Sequence, residues 1–170
     1  MTDGHRMGAA YRIVWLLALA AASFAAATAQ ADTKDDVLAF MDHYLDSFDN
    51  QNSRYTASLH HAPFYLLAPH GVLTEFETTD KVRRAVRRWR RNLNYNGYDH
   101  TEWVSVNARP MSDDTAIVST VFKRIKNTGA LLFQGAATYT LLRQDGAWKI
   151  FLMHVHEPER ALGYDGGGAE

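Results

Sequence analysis

Near residue 97 the chain changes from a mainly helical hydrophobic period to an uninterrupted strand-like one, and this change restricts the possible folds more than any other feature. Before it, apolar residues recur every three or four positions over residues 37–48 and 82–93, as on one face of a helix. After it, alternating apolar and polar residues continue to residue 156, as in strands. Helices followed by an antiparallel meander predict an α+β fold, with N-terminal helices packed on one face of a curved antiparallel sheet.

Capping and turn residues divide these segments into elements. Ser53 predicts a second, short helix that runs to about His61 and is broken by Pro63, and Thr78 predicts the start of a third helix. Gly135 is typical of a bulge inside a strand. The predicted strands cover residues 64–68, 72–76, 102–108, 115–125, 131–143 and 148–156, with a hairpin turn at Asp145-Gly146.

A strongly bent sheet of this kind does not close on itself. With helices lying across its mouth, it leaves a conical cavity between helices and sheet. Such a cavity is a natural site for a small molecule.

The first residues have the pattern of an export signal. Arg6 and Arg12 precede an uncharged, Ala/Leu-rich run over residues 13–27, and Ala29 and Ala31 form a cleavage signature. We therefore expect an exported, periplasmic protein cleaved after Ala31. The alternative is a retained membrane anchor, although the run is shorter than a spanning helix requires.

Length and composition limit the remaining possibilities. The 170 residues fit a signal peptide over 1–31, one domain over 32–160 and a disordered, glycine-rich tail over 161–170. Lys and Arg number 18 and Asp and Glu 19, and the resulting net charge of −1 argues against a nucleic-acid binder. Cysteine is absent, which excludes disulfides, cysteine-ligated zinc and iron–sulfur clusters.

The order of elements resembles that of the nuclear transport factor 2-like superfamily. The resemblance covers residues 34–158, and its most telling part is the ending Tyr139-Thr140-Leu141-Leu142-Arg143, Asp145-Gly146 and Trp148-Lys149-Ile150. This superfamily includes SnoaL-like cyclases, ketosteroid isomerase and scytalone dehydratase. The resemblance implies a site in the cavity between helices and sheet. It implies no single activity, because members include isomerases, dehydratases, cyclases and binding domains.

Isomerase chemistry of the ketosteroid type would require an acid/base carboxylate, a tyrosine and a protonated carboxylic acid inside the cavity. Tyr44 on the first helix is a candidate oxyanion donor. No Asp or Glu occupies an apolar strand position where burial would raise its pKa. This departure argues against that chemistry.

Two histidines end the last strand. A period of two places His154 and His156 on one face with Trp148, Ile150 and Leu152, so the two imidazoles are expected to converge. They could be hydrogen-bonded structural groups, general acid/base groups, or metal ligands completed by His60, His61 or His70.

We expect three catalytic candidates, which are His61, Tyr139 and His154. The expected ligand-binding residues are Tyr44, Tyr65, His70, Trp103 and His156. They would serve a small, largely apolar molecule, with lyase or isomerase chemistry of the acid/base type and no organic cofactor. No metal is expected, with a His154 and His156 metal site as the alternative.

The third predicted helix is rich in arginine. Its outward residues Arg84, Arg87 and Arg88 could dock an anionic surface, or could simply be solvated. A non-enzymatic interaction module, using this helix or the open sheet face, is therefore the alternative function. Pairing through the open face predicts a homodimer.

Overall fold

The structure is a computed structural model that describes residues 32–165. The predicted signal peptide and residues 166–170 lie outside the described residues. The helices are α1 over residues 32–49, α2 Ser53–Ser58 and α3 Thr79–Tyr95. The strands are β1 His60–Leu67, β2 Leu73–Phe76, β3 Tyr98–Ser112, β4 Thr115–Lys126, β5 Leu131–Gln144 and β6 Ala147–His156. No helix within residues 32–165 combines the length and apolar character needed to cross a membrane.

The six strands form one sheet in the order β2-β1-β6-β5-β4-β3. All neighbouring pairs are antiparallel except β1 and β6, which are parallel. The predicted α+β class is confirmed, because three helices precede or interrupt the early strands and a four-stranded meander follows them. The turn between β5 and β6 has positive φ at both Asp145 (52°) and Gly146 (77°), as expected for the tight hairpin that this dipeptide favours.

The helices pack on one face of the sheet. Val37 and Met41 of α1, Val82 of α3 and Leu141 and Ile150 of the sheet are completely buried in one core. The periodic apolar residues of the two long helices therefore meet the inward face of the meander, as the pattern predicts.

The ends of α1 are held by different parts of the fold. Near its start, Asp36 Oδ2 lies 3.0 Å from Arg143 Nη2 at the far end of β5. At its last turn, Arg90 of α3 donates to the backbone carbonyl oxygens of Phe48 (2.7 Å) and Asp49 (2.6 Å). The Phe48 carbonyl oxygen also accepts from the Gln51 amide at 3.3 Å, and the guanidinium adds a side-chain donor to both carbonyls, so it caps the end of the helix.

The short helix ends earlier than the sequence predicts. It stops at Ser58, and His60 already begins β1, because the backbone oxygen of Leu59 accepts a hydrogen bond from the Ile150 amide of β6 at 2.9 Å. Pro63 lies within β1, where pairing with β6 is interrupted between His60 and Tyr65. The interruption leaves room for a residue that has no amide hydrogen to donate.

The register of the meander differs from the prediction at two places. Gly135 pairs regularly with Phe122, and the irregularity lies nearer the start of β5, where Arg124 and Ile125 pair with Phe133 and Leu131. Gly135 therefore marks a close approach of the Phe122 ring, because a Cβ atom there would lie 2.8 Å from Phe122 Cζ.

The second irregularity lies in β6. Leu141 pairs with Ile150 and Thr140 with Leu152, so Phe151 is an unpaired bulge residue. Because of this bulge, the side chains after Phe151 alternate between the two sheet faces one residue out of step with those before it. The prediction that Trp148, Ile150, Leu152, His154 and His156 share one face is therefore wrong beyond Ile150.

Residues 158–164 cross the outer face of the sheet. Ala161 packs in a small cluster with Val121 and Ala136, and the Leu162 amide donates to Ser119 Oγ at 2.9 Å. The Tyr164 hydroxyl accepts from Gln134 Nε2 at 3.2 Å. Residues 161–165 were predicted to begin a disordered tail, and the first of them instead contact the sheet.

Candidate ligand-binding cavity

A cavity of about 360 Å³ lies between α1, α3 and the inward face of the sheet. Its size falls within the range of small-molecule pockets. Most of its wall is aromatic or aliphatic, and its polar groups are two phenols, two amides, one indole N–H and one guanidinium. The lining residues are Tyr44, Phe48, Leu66, Trp89, Asn92, Leu93, Asn96, Phe122, Arg124, Phe133, Ala137, Tyr139, Met153 and Val155.

Two tyrosine side chains meet in the cavity wall. The rings of Tyr44 and Tyr139 lie 5.8 Å apart in an edge-to-face contact. Burial raises the pKa of Tyr44 to about 12 and the pKa of Tyr139 well above its ordinary value. Both phenols are therefore neutral at physiological pH and act as hydrogen-bond donors and acceptors rather than as bases.

Arg124 brings a positive charge into this wall from β4. Its guanidinium lies 4.8 Å from the ring centroids of Phe48 and Phe122 and 5.3 Å from that of Tyr98. Its Nη1 donates to the Tyr98 hydroxyl at 3.0 Å and to the Thr101 hydroxyl, while its Nε is buried without a partner. Aromatic rings and neutral hydroxyls thus hold the cation in place.

Behind Arg124, Asp49 at the end of α1 completes a polar network. Its carboxylate accepts from the Thr101 amide at 2.9 Å, from the Thr101 hydroxyl at 3.2 Å and from the Tyr98 hydroxyl. It also lies 3.7 Å from Arg90 Nη1. Asp49 therefore lies directly beside Arg90, and only the hydroxyls of Tyr98 and Thr101 link it to Arg124.

His60 is buried beside the cavity wall. Its Nδ1 donates to the Thr56 carbonyl oxygen at 2.9 Å, and its ring packs edge-on against Tyr44 and Phe64. Burial lowers the pKa of His60 to about 4, so the imidazole is neutral near pH 7. Its Nε2 has no hydrogen-bond partner in the described structure.

The other predicted histidines lie away from the cavity lining. His61 Nδ1 is 3.0 Å from the Pro63 carbonyl oxygen, and its ring packs against Phe151 at 5.7 Å. His70 lies in the exposed turn between β1 and β2, with a φ of 71°. Tyr65 also contacts Phe151, at 5.3 Å, on the face opposite Leu66.

His154 and His156 lie on the outer face of the sheet. Met153 and Val155 line the cavity, so the residue between them points away from it. His156 Nε2 is 2.8 Å from Thr138 Oγ1, and its Nδ1 is 2.9 Å from the Glu157 carbonyl oxygen. Both nitrogens of His156 are engaged, and residues 32–165 hold no group of three or more metal-ligating side chains.

Trp103 stands one layer behind the lining. Its ring lies 6.4 Å from that of Phe122, and its indole nitrogen is buried without a partner. It therefore supports the wall of the cavity rather than forming it.

Of the eight predicted site residues, the structure brings Tyr44 and Tyr139 together in the cavity. Arg124 was missed, although a signal was present. A period of two along β4 places it with Val118, Thr120 and Phe122, and a charged residue at the end of such a buried stripe is unusual.

Comparisons with known proteins agree with this architecture. Residues 34–158 match the family described as NTF2-like protein (DUF6841). The comparison with curated proteins finds no match.

Several solved structures share the fold. An NTF2-like protein with a cystatin-like fold from Novosphingobium aromaticivorans superposes with a TM-score of 0.65 at 11% identity, covering 83% of this chain and 92% of that one. ActVI-ORFA from Streptomyces coelicolor gives 0.58 at 13% identity, covering 74% and 96%. A scytalone dehydratase-like protein from Novosphingobium aromaticivorans gives 0.55 at 16% identity, covering 74% and 87%. Because the family match spans most of the chain and the observed cone of helices and sheet agrees with it, the chain belongs to the NTF2-like family.

Proposed function

We propose that this protein binds a small, largely apolar molecule in the cavity between α1, α3 and the sheet. The observation that supports this best is the cavity itself, with about 360 Å³ of space and a mainly aromatic and aliphatic wall. Binding an apolar molecule there would remove its surface from water, and the few hydroxyl and amide groups would orient it.

The proposal is one of binding rather than acid/base turnover. The lining residues of the described chain include no carboxylate and no imidazole, and both lining phenols have raised pKa values. A general base works best with a pKa near the working pH. Turnover by His61 or His154 would therefore need a different site, on the outer sheet face.

A neutral fluorescent probe tests the proposal. N-phenyl-1-naphthylamine should bind the protein and brighten, and Val155→Trp should abolish this signal because the indole fills the cavity. His154→Trp is the matched control, since it adds the same indole to the opposite face of the same strand. Equal binding by both variants, with thermal melts showing that both are folded, would contradict a site in this cavity.

A second candidate function rests on α3. Four arginines are exposed at positions i, i+3, i+4 and i+7, and none of the ion pairs of the described chain includes them. Like charges at such spacing destabilise a helix slightly, and an anionic partner would offset this repulsion. This stripe consists of Arg84, Arg87, Arg88 and Arg91.

Binding to anionic membranes tests the stripe. Vesicles of phosphatidylglycerol and phosphatidylcholine should sediment with the protein at low salt, and Arg84→Glu with Arg88→Glu should weaken binding at least about tenfold. Lys81→Glu with Arg83→Glu is the charge-matched control, because these residues already pair with Glu77 and Asp80. An equal loss of vesicle binding in both double variants would show that only net charge matters, and would contradict a specific role for the stripe.

A further inference from the structure

Arg124 is the one charged side chain among the cavity-lining residues of the described chain. It is half-buried, and three aromatic rings lie within 5.3 Å of its guanidinium carbon. The environment of this charge is therefore much less polar than water, and interactions with an opposite charge are stronger there.

No carboxylate contacts this guanidinium. The described chain has no Asp or Glu oxygen within 4.0 Å of it, and its hydrogen bonds go to the neutral hydroxyls of Tyr98 and Thr101. Asp49 belongs to the same network but already accepts from Tyr98 and Thr101 and lies beside Arg90. A partly desolvated cation without a contacting counterion is costly, and an incoming anion would offset that cost.

The other polar groups of the wall can all donate hydrogen bonds. The neutral hydroxyls of Tyr44 and Tyr139 and the side-chain amides of Asn92 and Asn96 belong to the same lining. A set of donors around one cation matches a ligand that carries oxygens and negative charge.

We propose that the cavity selects an apolar molecule bearing one acidic oxygen group, such as a carboxylate or sulfonate, and that Arg124 binds this group. The ligand's apolar body then packs against residues such as Trp89, Phe133 and Met153. This inference rests on the proposed function, because it names the chemical class of ligand for the same cavity.

Two fluorescent probes with one aromatic skeleton separate charge from apolar contact. N-phenyl-1-naphthylamine is neutral, and 8-anilinonaphthalene-1-sulfonate adds a sulfonate to the same rings. Arg124→Met keeps much of the side-chain length and removes the charge. We expect it to weaken sulfonate binding about tenfold or more, as for loss of a charged hydrogen bond, and to change binding of the neutral probe less than about twofold.

Two further variants control for loss of structure and of net charge. Arg124→Lys should keep most of the preference for the sulfonate. Arg143→Met removes an arginine that lies over Trp148 and pairs with Asp36, outside the cavity lining, and should leave both affinities unchanged.

The outcomes separate this inference from the proposed function. If Arg124→Met leaves sulfonate binding unchanged, or weakens both probes equally, the inference is wrong while cavity binding stands. Sulfonate binding that survives Val155→Trp lies outside the cavity and also overturns the inference. If neither probe binds the unaltered protein, both proposals fail.

Discussion

At the scale of the residue, His60 makes the folded protein sensitive to acid. It is 4% exposed and surrounded by Tyr44 and Phe64, and burial lowers its pKa from 6.5 to about 4. Between these two values the unfolded chain binds the proton more readily than the folded chain. The stability contributed by the neutral imidazole is therefore present above about pH 6.5 and is lost as the pH falls towards 4.

The prediction is a loss of about 3 kcal/mol of unfolding free energy from this group between pH 7 and pH 4. Urea unfolding at both pH values measures it, with His60→Phe as the comparison, since phenylalanine is neutral throughout. The variant should lose less stability on acidification than the unaltered chain. An equal loss in both proteins would mean that His60 does not titrate as the structure requires.

His100 needs to be controlled in that measurement. Hydrogen bonds to Asp99 and Glu102 raise its pKa, so its contribution has the opposite sign and fades as the pH rises. Adding His100→Gln both to the unaltered chain and to the His60→Phe variant removes this contribution. The difference between these two proteins then isolates the buried imidazole.

At the scale of the element, β4 and β5 shape the cavity through one glycine. Gly135 lies opposite Phe122, and the Phe122 ring packs in the space that a side chain at position 135 would occupy. Phe122 in turn packs against the Arg124 guanidinium and the rings of Trp103 and Phe133. A change at Gly135 is therefore transmitted directly to the cavity wall.

Gly135→Ala should destabilise the protein by about 1–3 kcal/mol, because the added methyl overpacks this site. It should also weaken binding of the neutral probe, since Phe122 must move towards the cavity. Phe122→Leu in the same chain should recover part of the lost stability, which chemical denaturation of the two single variants and the double variant measures. If the changes in unfolding free energy of the two single variants simply add in the double variant, the proposed contact between residue 135 and Phe122 is contradicted.

For β6, the sequence predicts the strand and its start, but not which sheet face its later residues occupy. The alternation identifies the strand, and Asp145-Gly146 fixes its start. Beyond Ile150, however, both faces carry apolar residues, since Phe151, Leu152 and Met153 follow one another. Alternation therefore cannot locate a bulge there, and the facing of His154 depends on pairing with β5.

At the scale of the whole molecule, the change of hydrophobic period suffices to predict the α+β class and the cavity between helices and sheet. The cavity lining is less predictable, because it combines side chains from α1, α3 and four strands. Places on inward faces predict Tyr44 and Tyr139 as lining residues, whereas Arg124 lies in the predicted strand 115–125, where alternation alone does not indicate a ligand-binding role. Export, cleavage after Ala31 and homodimer formation stay predictions.

The pairing of Asp36 with Arg143 lies at one pole, or end, of the molecule, and the cavity lies towards the other. This pairing places the start of α1 beside the turn that joins β5 to β6. Phe133, Ala137 and Tyr139, which line the cavity, belong to the earlier part of β5. A tether joined ahead of α1 would therefore leave from one pole while the cavity occupies the other. The protein could be immobilised through that end on a bead or sensor surface with its binding site still open to solution.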